Sequence, residues 1–390
     1  MRRTPPSLVF VAVLCAATLG STSVGAATTV TTSSSASGPV RIGLEAPLSG
    51  DQRNVGVGML NGVRLSARRI NAAGGVGGRQ VVIVPIDDAA DPATGVTAAT
   101  AAIASGLDGV VGPYNSGVGV RTLPIYQAAG IVPVRLTSAP ATAGFGVTLQ
   151  AMTYQIAPVA AKAITTWKHA RSVAIVFDNS TVYTQSVAQA LHDDLTAAGV
   201  TVNASLPIQP GATDYSSVVD EAVAGSPDLV YLAVYYPEGA LLAQEMLAKK
   251  VSAACLADHA SYDLQFIAEA GARAAALCPV VGEAAPQDFP GSAKYVTAYR
   301  RAFKAAPGAW TPYAYDSLSI LIAAAEKAGS FDPAVLIPTL GSIPFSGWTG
   351  KVTIQAGTGD RVPAAVAVLR PEGRIYTVDR SWAKAVGAEF

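Results

Sequence analysis

Apolar residues along the chain come in two alternating kinds of run. Between residues 40 and 137, short stretches rich in apolar and β-branched residues (VRIGLEAPLSG, QVVIVPIDD, DGVVGPYNS, IVPVRLT) alternate with amphipathic stretches of helical length near residues 58–71, 93–104 and 118–129. Near-continuous apolar runs suit strands buried on both faces of a parallel sheet, and strands spaced by helices are joined by right-handed crossovers. The pattern predicts an α/β lobe.

A second series begins after residue 158. RSVAIVFDNS, VTVNASLPI, DLVYLAVYYPEG, AACLADHA and ALCPVVGEA read as strands, with helices expected over 185–198, 215–224, 239–250 and 264–270. Further helices are expected over 293–304 and 313–328, and KVTIQ, AAVAVLR and RIYTV read as hairpin strands able to extend either sheet. Two such series predict two doubly wound parallel-sheet lobes joined by a hinge across a ligand cleft. The expected division is 40–158 plus about 285–362 for the first lobe, and 159–284 plus about 363–390 for the second. One stretch raises a chemical question. DLVYLAVYYPEG starts as a buried strand and ends in Tyr235 and Tyr236, with Pro237 and Glu238 placed for the first turn of a helix. The carboxyl end of a strand is where an open α/β sheet places its ligand.

Composition narrows the partners. A chain of 390 residues with 50% hydrophobic content has material for two domains. Lys+Arg 27 against Asp+Glu 27 leaves no basic surplus for nucleic acid or an anionic membrane. Residues 1–27 pair Arg2 and Arg3 with an apolar stretch and a small-residue SVGAA, the layout of an export signal cleaved near Ala26 or Ala27. The Thr/Ser-rich residues 28–39 read as a linker. Cys15 would be the anchor of a lipoprotein, the less favoured reading because Leu14 precedes it. Export leaves Cys255 and Cys278, an even pair that reads as a disulfide.

The chain carries weak signs of covalent chemistry. GPYNSGVG, at a strand-to-helix turn, lacks both the Lys-Ser/Thr ending of a P-loop and the Rossmann glycine spacing, so it offers backbone N–H groups and the Ser116 hydroxyl as an anion seat. DDAADP reads as helix capping by Asp91 ahead of Pro92 rather than as a metal cluster. The His 3 and Cys 3 of the chain show no ligand spacing, so neither a metal nor a cofactor is expected, and no activated nucleophile argues for an enzyme.

APLSG, NGVRLSARRINAAGGVGGR, DDAADP, GPYNS, the Tyr183 that follows VFDNSTV, and YYPEG occur in that order across residues 40–380. This ordered set resembles the periplasmic leucine/isoleucine/valine-binding proteins of ABC transporters, which have the type I periplasmic-binding-protein fold. The resemblance implies that Ser116, Thr137 and Ser138 hold a ligand α-carboxylate, while Tyr183, Tyr235 and Asp258 face its α-ammonium. His259 takes the place of Asp258 if no alignment gap falls near Ala257. Two family positions are altered: the aromatic residue after the first SG falls on Asn54 or Val55, and a threonine falls on Ala139 or Pro140. The expected protein is therefore an exported, monomeric binder, periplasmic or at the cell surface. It would close over a small zwitterion, a branched-chain or other apolar amino acid, and deliver it to an ABC permease. A sensing clamshell for a related amide, urea or aromatic acid is the other reading. Substituting Asp258 is expected to cost binding more than folding, and Tyr236 is expected to pack beneath its helix.

Overall fold

The computed structural model describes residues 38–388. The expected leader over residues 1–27, Cys15 within it and most of the 28–39 linker lie outside the described residues. The first sheet is built from β1 (Val40–Ala46), β2 (Val81–Asp87), β3 (Gly109–Val111), β4 (Val132–Arg135) and β5 (Val147–Thr148). Its order is β2-β1-β3-β4-β5 and every pairing is parallel. Three crossover helices, α1 (Arg53–Ala72), α2 (Pro92–Ala104) and α3 (Ser116–Ala128), link the first four strands. Successive strand residues point to opposite faces, which explains the continuous apolar runs. Val110 joins Ile86, Ala99 and Tyr126 under α2 and α3, whereas Val111 joins Met59 and Val63 under α1.

After β5 the chain enters α4 (Thr153–Lys162), which packs on helix α5 (Val182–Ala197) of the second lobe. The crossing therefore precedes the expected break at residue 158. The second lobe continues through β6 (Ser172–Asp178), β7 (Thr201–Ile208), α6 (Ser216–Ala224), β8 (Leu229–Ala233), α7 (Tyr236–Ala248), β9 (Ala254–Ala257), α8 (Leu264–Leu277) and β10 (Val280–Glu283). All five residues of β8 are buried, while the edge strand β7 alternates in exposure. The Cys255–Cys278 disulfide joins β9 to the residue two before β10, across a sequence separation of 23.

The chain returns to the first lobe as α9 (Ala293–Phe303), α10 (Thr311–Ala328) and α11 (Pro333–Ser342), with α10 lying along α1. A small hairpin follows, β11 (Phe345–Gly347) and β12 (Gly350–Val352), which joins neither main sheet. It takes in only the start of KVTIQ, because Ile354 makes a lone bridge to Arg361 instead of continuing the strand. β13 (Val366–Glu372) and β14 (Ile375–Val378) then extend the second sheet in antiparallel fashion, giving the order β14-β13-β10-β9-β8-β6-β7, and α12 (Arg380–Val386) closes the chain.

The DDAADP turn fastens the ligand-side rim of the first sheet. Asp87 Oδ1 accepts from the N–H groups of Leu48 at 2.9 Å and Ser49 at 3.2 Å, and Asp91 caps α2 through Thr94 N at 2.7 Å. Asp88 between them is fully buried, with Oδ1 bonded to Ala90 N at 2.8 Å and Oδ2 unpartnered. Burial pushes its carboxyl up to about 7. A carboxyl raised in the folded state contributes stability that is complete below the unfolded value near 4 and is lost as pH rises through the folded one. Asp88→Asn is thus expected to raise stability at pH 8 by on the order of 2 kcal/mol more than at pH 4, measured by urea unfolding at both pH values.

Candidate functional site

The loops leaving the strand ends of both sheets meet around one small cavity. On the first-lobe side the turn after β3 carries Tyr114 and Ser116. Gly112 opens this turn at φ 101°, and a side chain there would run into the Glu45 carbonyl, so glycine alone lets the chain pass. Ser116 is the first residue of α3, and its Oγ accepts from Ser138 N at 3.3 Å and Ala139 N at 3.1 Å. Its own proton remains available to a ligand oxygen. Ser138 Oγ also lines the cavity and accepts from Gln150 Nε2 at 3.0 Å. Asn115, the N-cap of α3, makes no side-chain cap but donates to Gln52 Oε1 at 2.9 Å. Serine hydroxyls beside an uncapped helix N-terminus form a seat for a carboxylate.

The second lobe contributes rings. Tyr183 from α5, Tyr235 between β8 and α7, and His259 after β9 face the same space. Trp310, just ahead of α10, covers it, with its ring 4.6 Å from that of His259 and 5.4 Å from that of Tyr114. The tyrosine hydroxyls of Tyr183 and Tyr235 are held neutral by burial, which raises both above the usual phenol value. The cavity left between these groups is about 10 Å³, room for roughly one water, so the lobes stand closed. A bond across the cleft agrees: the Tyr236 hydroxyl donates to the Asp51 carbonyl at the start of the first-lobe helix α1.

The sequence profile of the periplasmic binding protein family matches residues 39–373. A Leu/Ile/Val-binding protein, BraC3 of Rhizobium johnstonii, is 32% identical over 351 residues, which cover 87% of this chain and 94% of that protein. The chain belongs to the periplasmic binding protein family, in its Leu/Ile/Val-binding branch. Solved structures share the fold. The leucine binding protein LivK of Thermotoga maritima superposes with a TM-score of 0.81 at 21% identity, covering 87% of this chain and 97% of that one. The LivJ protein of Streptococcus pneumoniae, in complex with isoleucine, gives a TM-score of 0.78 at 19% identity, covering 87% and 99%.

Within this binding protein the residues expected at the ligand divide. Ser116, Ser138, Tyr183 and Tyr235 come together on the cavity wall. Thr137 does not: its hydroxyl turns to Thr142 Oγ1 at 2.7 Å, and its methyl lies against Gly119 of α3. Asp258 does not either. Its carboxylate is fully buried, accepting from the hydroxyls of Tyr183 and Tyr231 at 2.7 Å each and from Ala260 N at 3.0 Å. Its neighbour His259 holds the wall position instead. Tyr236 also departs from its expected role. β8 ends at Ala233, so Tyr235 caps α7 and Tyr236 begins it, and the helical turn aims the Tyr236 hydroxyl across the cleft. Tyr114, Gln150 and Trp310 line the cavity without having been singled out; Tyr114 stood inside GPYNS, but Gln150 and Trp310 come from connections with no motif of their own.

Two substitutions separate these roles. Asp258→Ala strips the acceptor from two buried tyrosine hydroxyls, so it is expected to lower unfolding stability by about 2–4 kcal/mol in denaturant titration, a structural loss as well as a binding one. Tyr236→Phe removes only the cross-cleft bond and is expected to shift the population toward open lobes by about 1 kcal/mol, visible as a larger radius of gyration in X-ray scattering with an unchanged melting temperature.

Proposed function

We propose that this binding protein captures a small apolar α-amino acid outside the cytoplasm, leucine, isoleucine or valine, and delivers it to an ABC permease. The observation that carries the reading is the carboxylate seat: the free Ser116 proton and the Ser138 hydroxyl at the N-terminus of α3, facing a wall of rings from the other lobe. A seat of fixed dipoles orients the carboxylate, and the rings of Tyr114, Tyr235 and Trp310 supply the apolar surface that a branched side chain needs. The 32% identity with a Leu/Ile/Val-binding protein supports the same ligand class.

Capture of this kind needs no bond-making. Opening the lobes admits the ligand, closure removes water from its charged ends, and the Tyr236 bond to Asp51 helps hold the closed form that the permease would receive. The export reading places cleavage of the leader near Ala26 or Ala27, and the protein acts as a monomer.

Mass spectrometry of the small molecules released when the purified protein is denatured tests the ligand directly; an apolar amino acid is the expected finding. Ser116→Ala is expected to weaken calorimetric binding of that amino acid by about 1–1.5 kcal/mol, roughly tenfold, and also to lower the melting temperature of the free protein, because the buried N–H groups of Ser138 and Ala139 lose their acceptor. Release of a molecule without a carboxylate, or unaltered affinity in the variant, would remove the seat from the reading.

A further inference from the structure

A zwitterion needs a counter-charge for its ammonium, and the cavity wall carries no carboxylate among the described residues that line it. The acid adjoining the wall in sequence, Asp258, has both oxygens occupied by Tyr183, Tyr231 and Ala260. A different carboxylate is left with capacity. Glu283, at the end of β10, is 1% exposed; its Oε1 accepts from Ala151 N at 2.5 Å, while Oε2 is buried with no hydrogen-bond partner. That oxygen lies 3.7 Å from His259 Nε2, which is itself buried and unpartnered. Two facing polar atoms, both buried and neither satisfied, cost folding energy that calls for an explanation.

We propose that His259 and Glu283 together recognise the ligand's ammonium, His259 directly and Glu283 as a positioning residue behind it. The proposal rests on the amino-acid reading above. Nε2 of His259 points at Glu283, which leaves Nδ1 as the ring nitrogen available to the cavity. In the liganded form Nε2 keeps its proton and gives it toward Glu283 Oε2, while the Nδ1 lone pair accepts from the ammonium. The imidazole relays the carboxylate's charge to a group that the carboxylate does not touch, as carboxylate–histidine pairs do behind metal ions.

The other titratable groups facing the pair do not compete for this role. Tyr183, its ring 6.3 Å from His259, is committed to Asp258, and Tyr235 shares the wall as a neutral phenol. Tyr262 and Tyr313, packed on Trp310, have hydroxyls raised well above the usual value by burial and remain neutral; the Tyr313 hydroxyl faces Glu283 as an uncharged donor, so it leaves the carboxylate its charge. Arg361, the cation acting on Tyr313, spends its guanidinium on the carbonyls of Leu149, Thr349 and Lys351 and on the Thr349 hydroxyl.

Calorimetry with L-leucine and with 4-methylpentanoate, which has the same carbon skeleton without the amino group, tests the proposal. His259→Gln keeps an acceptor for the ammonium and a donor for Glu283; it is expected to bind leucine more weakly while its affinity for 4-methylpentanoate holds. Glu283→Gln is expected to lose tenfold or more in leucine affinity while its affinity for 4-methylpentanoate holds. Unchanged leucine affinity in Glu283→Gln, or an equal loss of leucine and 4-methylpentanoate affinity in that variant, overturns the relay and leaves the amino-acid reading standing. Tighter binding of 4-methylpentanoate than of leucine by the parent overturns both. Failure of leucine, isoleucine and valine alike to bind the folded parent defeats the amino-acid reading and the relay with it.

Discussion

A polar group drawn into the seam between the lobes must find a partner there or wait for the ligand to bring one. That constraint orders the site. Asp258 answers it within its own lobe, taking the hydroxyls of Tyr183 and Tyr231, and so becomes a fixed part of the wall's support. Ser116 answers it halfway: its oxygen anchors two backbone N–H groups of the Ser138 turn, and its proton stays free. His259 Nε2 and Glu283 Oε2 leave it unanswered, facing one another at 3.7 Å without a hydrogen bond. The three cases are graded by how many partners each atom has already.

The hinge obeys the same rule with charges. Arg135, at the end of β4, is fully buried against Asp360, and Asp360 also accepts from Tyr154 at the start of α4. Arg361 next to it reaches the Leu149 carbonyl at 3.3 Å and Thr349 Oγ1 at 2.8 Å. Gln155 in turn donates to the Arg361 carbonyl at 3.0 Å. The segment that returns the chain to β13 is thus laced to the one that first left β5. A buried pair of this kind adds little net stability compared with apolar packing, yet losing one partner is costly, so it fixes where the connections run. With two of the crossings tied together, the lobes can swing about them without sliding past one another, which suits a clamshell.

The alternation of buried strand runs and helical stretches was enough to read two α/β lobes, because burial on both faces of a parallel sheet leaves a continuous apolar signature in β1, β3 and β8. GPYNS and YYPEG were legible as site segments because a strand end, a turn and a helix start fall within a few residues, and that is where such sheets place ligands. Local sequence therefore pointed to Ser116 and to the Tyr235–Tyr236 pair, while Tyr183 and the choice of Tyr235 came from the resemblance to the Leu/Ile/Val-binding proteins. It could not say which way a side chain turns once its loop leaves the strand. Asp258 and His259 are adjacent, and only the packing of Tyr183 and Tyr231 against one carboxylate decided that the acid faces inward and the imidazole faces the cavity. Trp310 reaches the site from a connection remote in sequence, Glu283 stands behind the wall at the end of β10, Ala151 to Glu283 and Tyr236 to Asp51 bridge segments more than a hundred residues apart, and none of these contacts has a local pattern. Periodicity records which residues are buried; the partner that buries them is set by the meeting of two lobes, which exists only after both have folded.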